Sequence, residues 1–352
     1  MRGDLAMRAE RWGWIAGAAG LAVAALGWVL APGAFAYAWL AAFVAFSGWP
    51  LGSVALLLAH ALTGGRWGEA ANPALRLGAA ATPLVALLAV PVILTLPVLY
   101  PWARAGEALG NGWYLNVVFY AIRGVAYLAA WLWAAQLALG DGRRAARLAP
   151  VALILLAVTF TFAALDTTMS LEPRFVSTIY GMLAMTGAGL LALAVAVAAM
   201  APGIEPKTRD DLGKFLAALT MLWTYLDFMQ LLIVWQSDLV TQAPWYLKRA
   251  FGFWGWVMAG VAVGHSAIPI LLLFWPQVRR NARALAGVAV LLVAMEVVRA
   301  WWTVLPEAPG QSPLASLAWA LACVLAVGGI GLGFALRRGR SRRGAAAEVS
   351  HA

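Results

Sequence analysis

Residues 151–200 read VALILLAVTFTFAALDTTMSLEPRFVSTIYGMLAMTGAGLLALAVAVAAM. Two long apolar runs flank Asp166, Glu172 and Arg174, in a chain whose charged residues make up only 11% of the total. A bilayer core about 30 Å thick is crossed by about 20 apolar residues of helix. The stretch therefore predicts two membrane spans joined by a short charged connection, and the rest of the chain follows the same pattern. Apolar runs occupy about 13–31, 35–62, 78–99, 113–138, 146–165, 175–201, 212–236, 250–275, 283–305 and 313–336.

Composition agrees. With 63% hydrophobic residues and 19 Trp among 352 residues, and a mean hydropathy of +0.81, the chain has too little polar surface to cover a soluble globule. The expected fold is an all-α integral membrane protein of about ten transmembrane helices. Residues 1–336 form one polytopic membrane domain, and 337–352 a basic, disordered cytoplasmic tail. The single Cys323 excludes an internal disulfide and any thiolate-held zinc or iron–sulfur site, since each needs several sulfurs.

The net charge of +10 reflects topology rather than nucleic-acid binding, because the basic residues sit in short clusters between apolar runs. Of the 25 Lys and Arg, only Arg104, Arg174, Lys248 and Arg249 fall in the odd-numbered connections, and Arg123 and Arg299 inside predicted spans. All the others lie on the opposite side, in the N-terminal tail, in the even connections or the span ends that border them (Arg147, Lys214 and Arg283), and in the C-terminal tail. Both termini are therefore expected in the cytoplasm. Arg8 and Arg11 ahead of an apolar run, with the small residues of GAFAYA at 33–38, also offer a signal-peptide reading. About 20 apolar residues is long for such a segment, and its removal would leave every later orientation unchanged.

In this topology the connection after the fifth run lies outside. Pro173 suits the first turn of a helix and Glu172 its positive end, so the sixth helix is expected to begin there. Buried ionisable groups in a helix bundle are expensive unless paired or hydrated, which singles out the remaining polar residues. Asn116, Tyr120, Arg123 and Tyr127 form a helical stripe on the fourth run, and Thr220, Trp223, Asp227 and Gln230 one on the seventh. Arg123, Asp227 and His265 are expected toward the middle of their helices, with Arg123 as a partner for Asp227. His265 has the alternative role of donating to a carbonyl freed by Pro269, and Glu296 and Arg299, three apart, that of neutralising each other. The functional reading is an exchangeable-proton chain from His60 and His265 through Asp227 to Asp166, beside a quinone headgroup. Tyr120, Tyr127, Glu172, Tyr180, Gln230, Glu296 and Arg299 support it. Bis-histidine haem ligation is disfavoured, because His60 and His265 differ in depth by roughly 9 Å at 1.5 Å per residue.

Four stretches in order resemble one family: LDTTMSLEPRFVSTIYG (165–181), DDLGKFLAALTMLWTYLDFMQLLIVW (210–235), APWYLKR (243–249) and GHSAIPILLLFWPQVRRN (264–281). HALTGGRWGEA (60–70) fits the same pattern. They resemble the second large membrane subunit of alternative complex III, a quinol:cytochrome c oxidoreductase, related to the polysulfide reductase membrane subunit. His265 matches a family histidine. Asp227 stands where the family has a small or apolar residue, and Thr167 where it has tryptophan. The resemblance implies two four-helix bundles plus two peripheral helices, in a bacterial inner membrane. It also implies an iron–sulfur protein, multihaem cytochrome c subunits and a homologous ten-helix subunit as partners, and menaquinone or ubiquinone as the only cofactor, with no metal. A secondary transporter with a midplane polar site, or a purely structural anchor, are the competing readings.

Overall fold

The computed structural model describes residues 6–104, 111–237 and 240–341. Among these there is no strand, and ten helices are long and apolar enough to cross a membrane. They are α1 (Ala6–Leu30), α2 (Pro32–Thr63), α3 (Arg66–Leu94), α4 (Val117–Leu139), α5 (Gly142–Leu171), α6 (Tyr180–Gly203), α7 (Pro206–Gln236), α8 (Gly252–Phe274), α9 (Ala282–Glu307) and α10 (Pro313–Ser341). Each corresponds to one of the apolar runs in the sequence. Arg2, Asp238, Arg342, Arg343 and the rest of the expected tail to 352 lie outside the described residues. The last helix passes the expected stop at Leu336 and continues to Ser341.

Local signals set the ends. Pro32, Pro206 and Pro313 open their helices, where a missing N–H costs nothing. Asn116 accepts from the Phe119 N–H, and Asn281 from those of Arg283 and Ala284. The turn between α2 and α3 rests on Gly64 and Gly65, at φ +64° and +100°, a region L side chains rarely adopt. α2 runs unbroken through Pro50, contrary to the interruption that proline suggests, because in hydrocarbon every remaining backbone bond is worth keeping.

Helices α2–α5 pack as one four-helix bundle and α6–α9 as a second, joined mainly along α2 against α6 and α9. Gly52 makes that contact close: a Cβ there would stand 2.0 Å from the Ala188 carbonyl oxygen. The peripheral pair α1 and α10 packs through facing small residues, with Gly20 against Ala326 and Gly17 against Gly329, the close approach typical of small residues in membrane helices. Arg340 donates to Glu10 at 2.8 Å, so both ends of the described chain share one face, here called the terminal face. The opposite face carries the α5–α6 loop and the short helix Ala243–Ala250.

Candidate functional site

The polar interior extends from the far face to the middle of the bundles. Arg123 sits in the second turn of α4, which starts at Val117 and not at 113, so it lies near the far face rather than mid-membrane. Its partner is Asp166, at the end of α5. Nε and Nη2 each donate to one carboxylate oxygen at 2.9 Å, and Tyr127 Oη donates to the same carboxylate at 2.9 Å. Nη1 donates to the Tyr114 carbonyl at 2.9 Å, and the guanidinium lies 3.8 Å above the Tyr114 ring. Asp166 is 2% exposed. This bidentate pair corrects the expectation that Arg123 holds Asp227. The stripe on α4 faces its sequence neighbour α5, and α7 belongs to the other bundle.

The second cluster is built on α9. Glu296 accepts from His265 Nε2 and from Arg299 Nε, both at 3.1 Å. An ionised carboxylate only accepts, so facing an ionised Glu296 it is the Nε2 of His265 that donates. His265 is fully buried within the π-turn Ala262–Ala267 of α8, and its ring centroid lies 3.9 Å from that of Trp223 on α7. Its hydrogen bond goes to Glu296, not to a carbonyl freed by Pro269. Glu296 and Arg299 do neutralise each other as expected, with His265 as a third member. Gly187 of α6 closes over them: a Cβ there would stand 3.1 Å from both Arg299 Nη2 and Glu296 Oε1.

Two chambers flank this cluster, and Arg299 lines both. The first, of about 250 Å³, lies where the two bundles meet. Tyr120, Tyr127, Asp166, Tyr180, Glu296 and Arg299 supply most of its polar wall, and apolar side chains of α2 to α6 most of the rest. Tyr180 Oη donates to Thr168 at 2.7 Å, which fixes that edge. The second, of about 220 Å³, is lined by Asp227, Thr224, Tyr246 and Ser266 among others. Thr224 donates to Ser266 at 2.9 Å. The Asp227 carboxylate makes no hydrogen bond among the described residues and shares this chamber with Arg299.

Other expected site residues lie elsewhere. His60 ends α2 on the terminal face, where Nε2 meets the Gly65 carbonyl at 3.1 Å and the ring packs edge-on against Trp67. No hydrogen-bonded chain connects it to His265 among the described residues, so it stands apart from the polar cluster. Gln230 accepts from Ser177 at 2.8 Å and ties the α5–α6 loop to α7. Pro173 starts no helix: α6 begins at Tyr180, and Glu172 takes an ion pair with Lys248 at 3.0 Å in place of a helix dipole.

That ion pair belongs to a clamp missed in the sequence. Arg249 is completely buried, donates to the carbonyls of Trp245, Trp302 and Thr303, and pairs with Glu307 at 2.9 Å. Lys248 pairs with Glu307 at 2.9 Å. Burial lowers the Arg249 pKa against the opposing pull of Glu307. In the sequence Arg249 reads as one more loop charge, and only the brevity of the amphipathic segment APWYLKR hints at a packed helix. Among the described residues no group of three or more His, Cys, Asp or Glu is placed to hold a metal. No protein-family profile and no curated protein sequence matches the chain.

Proposed function

We propose that this chain is a membrane subunit of a quinol:electron-acceptor oxidoreductase complex in a bacterial cytoplasmic membrane, with a headgroup site in the first chamber. The observation that supports this most is the chamber itself. It is apolar over most of its wall, as a ring and its prenyl chain require, and polar where Glu296 pairs with Arg299 and where Tyr120 and Asp166 line it. Arg299 uses only Nε on Glu296, which leaves its terminal N–H groups for a carbonyl oxygen of the ligand. Oxidation of a quinol to a quinone releases two protons and two electrons. Glu296 and Asp166 offer bases at the polar wall for the protons. The electrons leave to redox centres of partner subunits, an iron–sulfur protein and multihaem cytochromes c, beside a homologous ten-helix subunit.

The transporter reading asks for broken helices at matched positions of two halves. The irregular segments here are the turns at Ala81 within α3 and at Thr95 just after it, and the π-turn in α8, in the second helix of one bundle and the third of the other. The test is purification in mild detergent from the native membrane. Co-isolation of haem-bearing and iron–sulfur partners, with quinol-dependent haem reduction lost in Glu296→Gln, is expected. A colourless homo-oligomer that transports solutes would overturn the reading.

A further inference from the structure

Most of the first chamber's wall is buried, but one lining residue of α3 and two of α4 are exposed on the outer surface of the bundle. Ile93 is 50% and Val125 69% exposed, and Ala121 is exposed beside them. Gly124 lies on α4 between Ala121 and Val125, with no described residue within 4 Å of where a Cβ would sit. The same chamber is shut on the α6 side by Leu183, Gly187 and Leu191, all buried. We infer that the chamber opens sideways into the bilayer between α3 and α4, and that a prenylated quinone enters there, its ring reaching Glu296 and Arg299 and its chain lying in the gap at Gly124.

The inference rests on the quinone reading above and adds the route and the lie of the tail. Gly124 is seven residues into α4, or about 10 Å below the helix end at 1.5 Å per residue. The opening therefore faces acyl chains, not headgroups. An uncharged ring passes such an opening, whereas a phospholipid would have to bring its charged head through hydrocarbon. A route from water would instead expose every methylene of the tail to solvent. The rim carries no polar side chain at Ile93, Ala121, Gly124 or Val125, so nothing there competes with the tail for contact.

Two glycines permit a matched test. Gly124 and Gly287 are both free of neighbours within 4 Å of a built Cβ, but only Gly124 lines the chamber, so Gly124→Trp and Gly287→Trp are both expected to fold. The protein, purified in its native complex, is exposed to a photoreactive naphthoquinone bearing a prenyl chain and to the same ring without a chain. Gly124→Trp should slow labelling by the prenylated probe at least about tenfold, an effect on access of the size seen within one binding site, and Gly287→Trp should leave it unchanged. A probe with its reactive group at the end of the tail should mark Ile93, Ala121 or Val125. Equal labelling of wild type and Gly124→Trp, or tail adducts on α8, overturns the portal while the quinone reading stands. Failure of either ring to label the wild type overturns the quinone reading itself.

Discussion

Arg123 and Asp166, 43 positions apart in the chain, meet through two parallel N–H···O bonds of 2.9 Å. The planar fork of the guanidinium matches both oxygens of the carboxylate, and the bond from Tyr127 completes the shell. Such a pair contributes little against a well-packed apolar substitute, but removing one partner strands the other charge. Arg123→Ala and Asp166→Ala should each destabilise the purified protein by about 3–5 kcal/mol. The double variant Arg123→Met/Asp166→Leu should recover most of that loss. Thermal unfolding in detergent checks both, and a double variant no better than the singles would show the pair itself to be needed.

Glu296 and Asp227 make the opposite contrast. Glu296 holds two partners, and Asp227 holds no hydrogen bond among the described residues. Glu296→Ala should cost about 3–5 kcal/mol, since it leaves Arg299 uncompensated in the interior. Asp227→Asn should change stability by less than about 1 kcal/mol. Unfolding midpoints of the two variants, measured side by side, decide the matter, and a large loss in Asp227→Asn would reveal a partner for its carboxylate.

Alkaline pH should loosen the far face. The Tyr114 phenol is pushed up to about 12, first by burial and then by the negative charge of Asp166. Burial lowers the Lys248 pKa, but Glu307 and Glu172 outweigh it and leave it raised. Both groups hold their protons in the folded state at a pH where the unfolded chain releases them. The stability they contribute is fully present below about pH 10 and is lost as pH rises through the folded values. Among the described residues, the buried Tyr114 Oη also has no hydrogen-bond partner. Tyr114→Phe should therefore be neutral or stabilising at neutral pH and should flatten the alkaline decline. A melting-temperature series against pH for wild type and variant reads both effects.

The charge asymmetry predicts sidedness. Reporter fusions after Gly142, Thr208 and Arg340 should report the cytoplasm, and one after Val240 the outside. A cytoplasmic signal at Val240 would contradict the ten-span topology.

The sequence by itself determined the ten spans and their order, and it carries the Lys and Arg bias from which sidedness is expected. Apolar length and the placement of Lys and Arg are properties of each segment alone. It also marked the residues that matter: Arg123, Asp166, Asp227, His265, Glu296 and Arg299 stand out because ionisable groups are costly in hydrocarbon wherever they fall. Their pairing was decided only by the tertiary structure. Helical periodicity tells which residues share a face, but the helix that face meets depends on how the bundles close. Thus Arg123 found Asp166 on the adjacent α5, whereas His265, buried in the π-turn of α8, met Glu296 on α9. Arg249 looked like a surface charge until a short helix folded it beneath Trp302 and Glu307. The two chambers exist only between helices, where no single segment can record them.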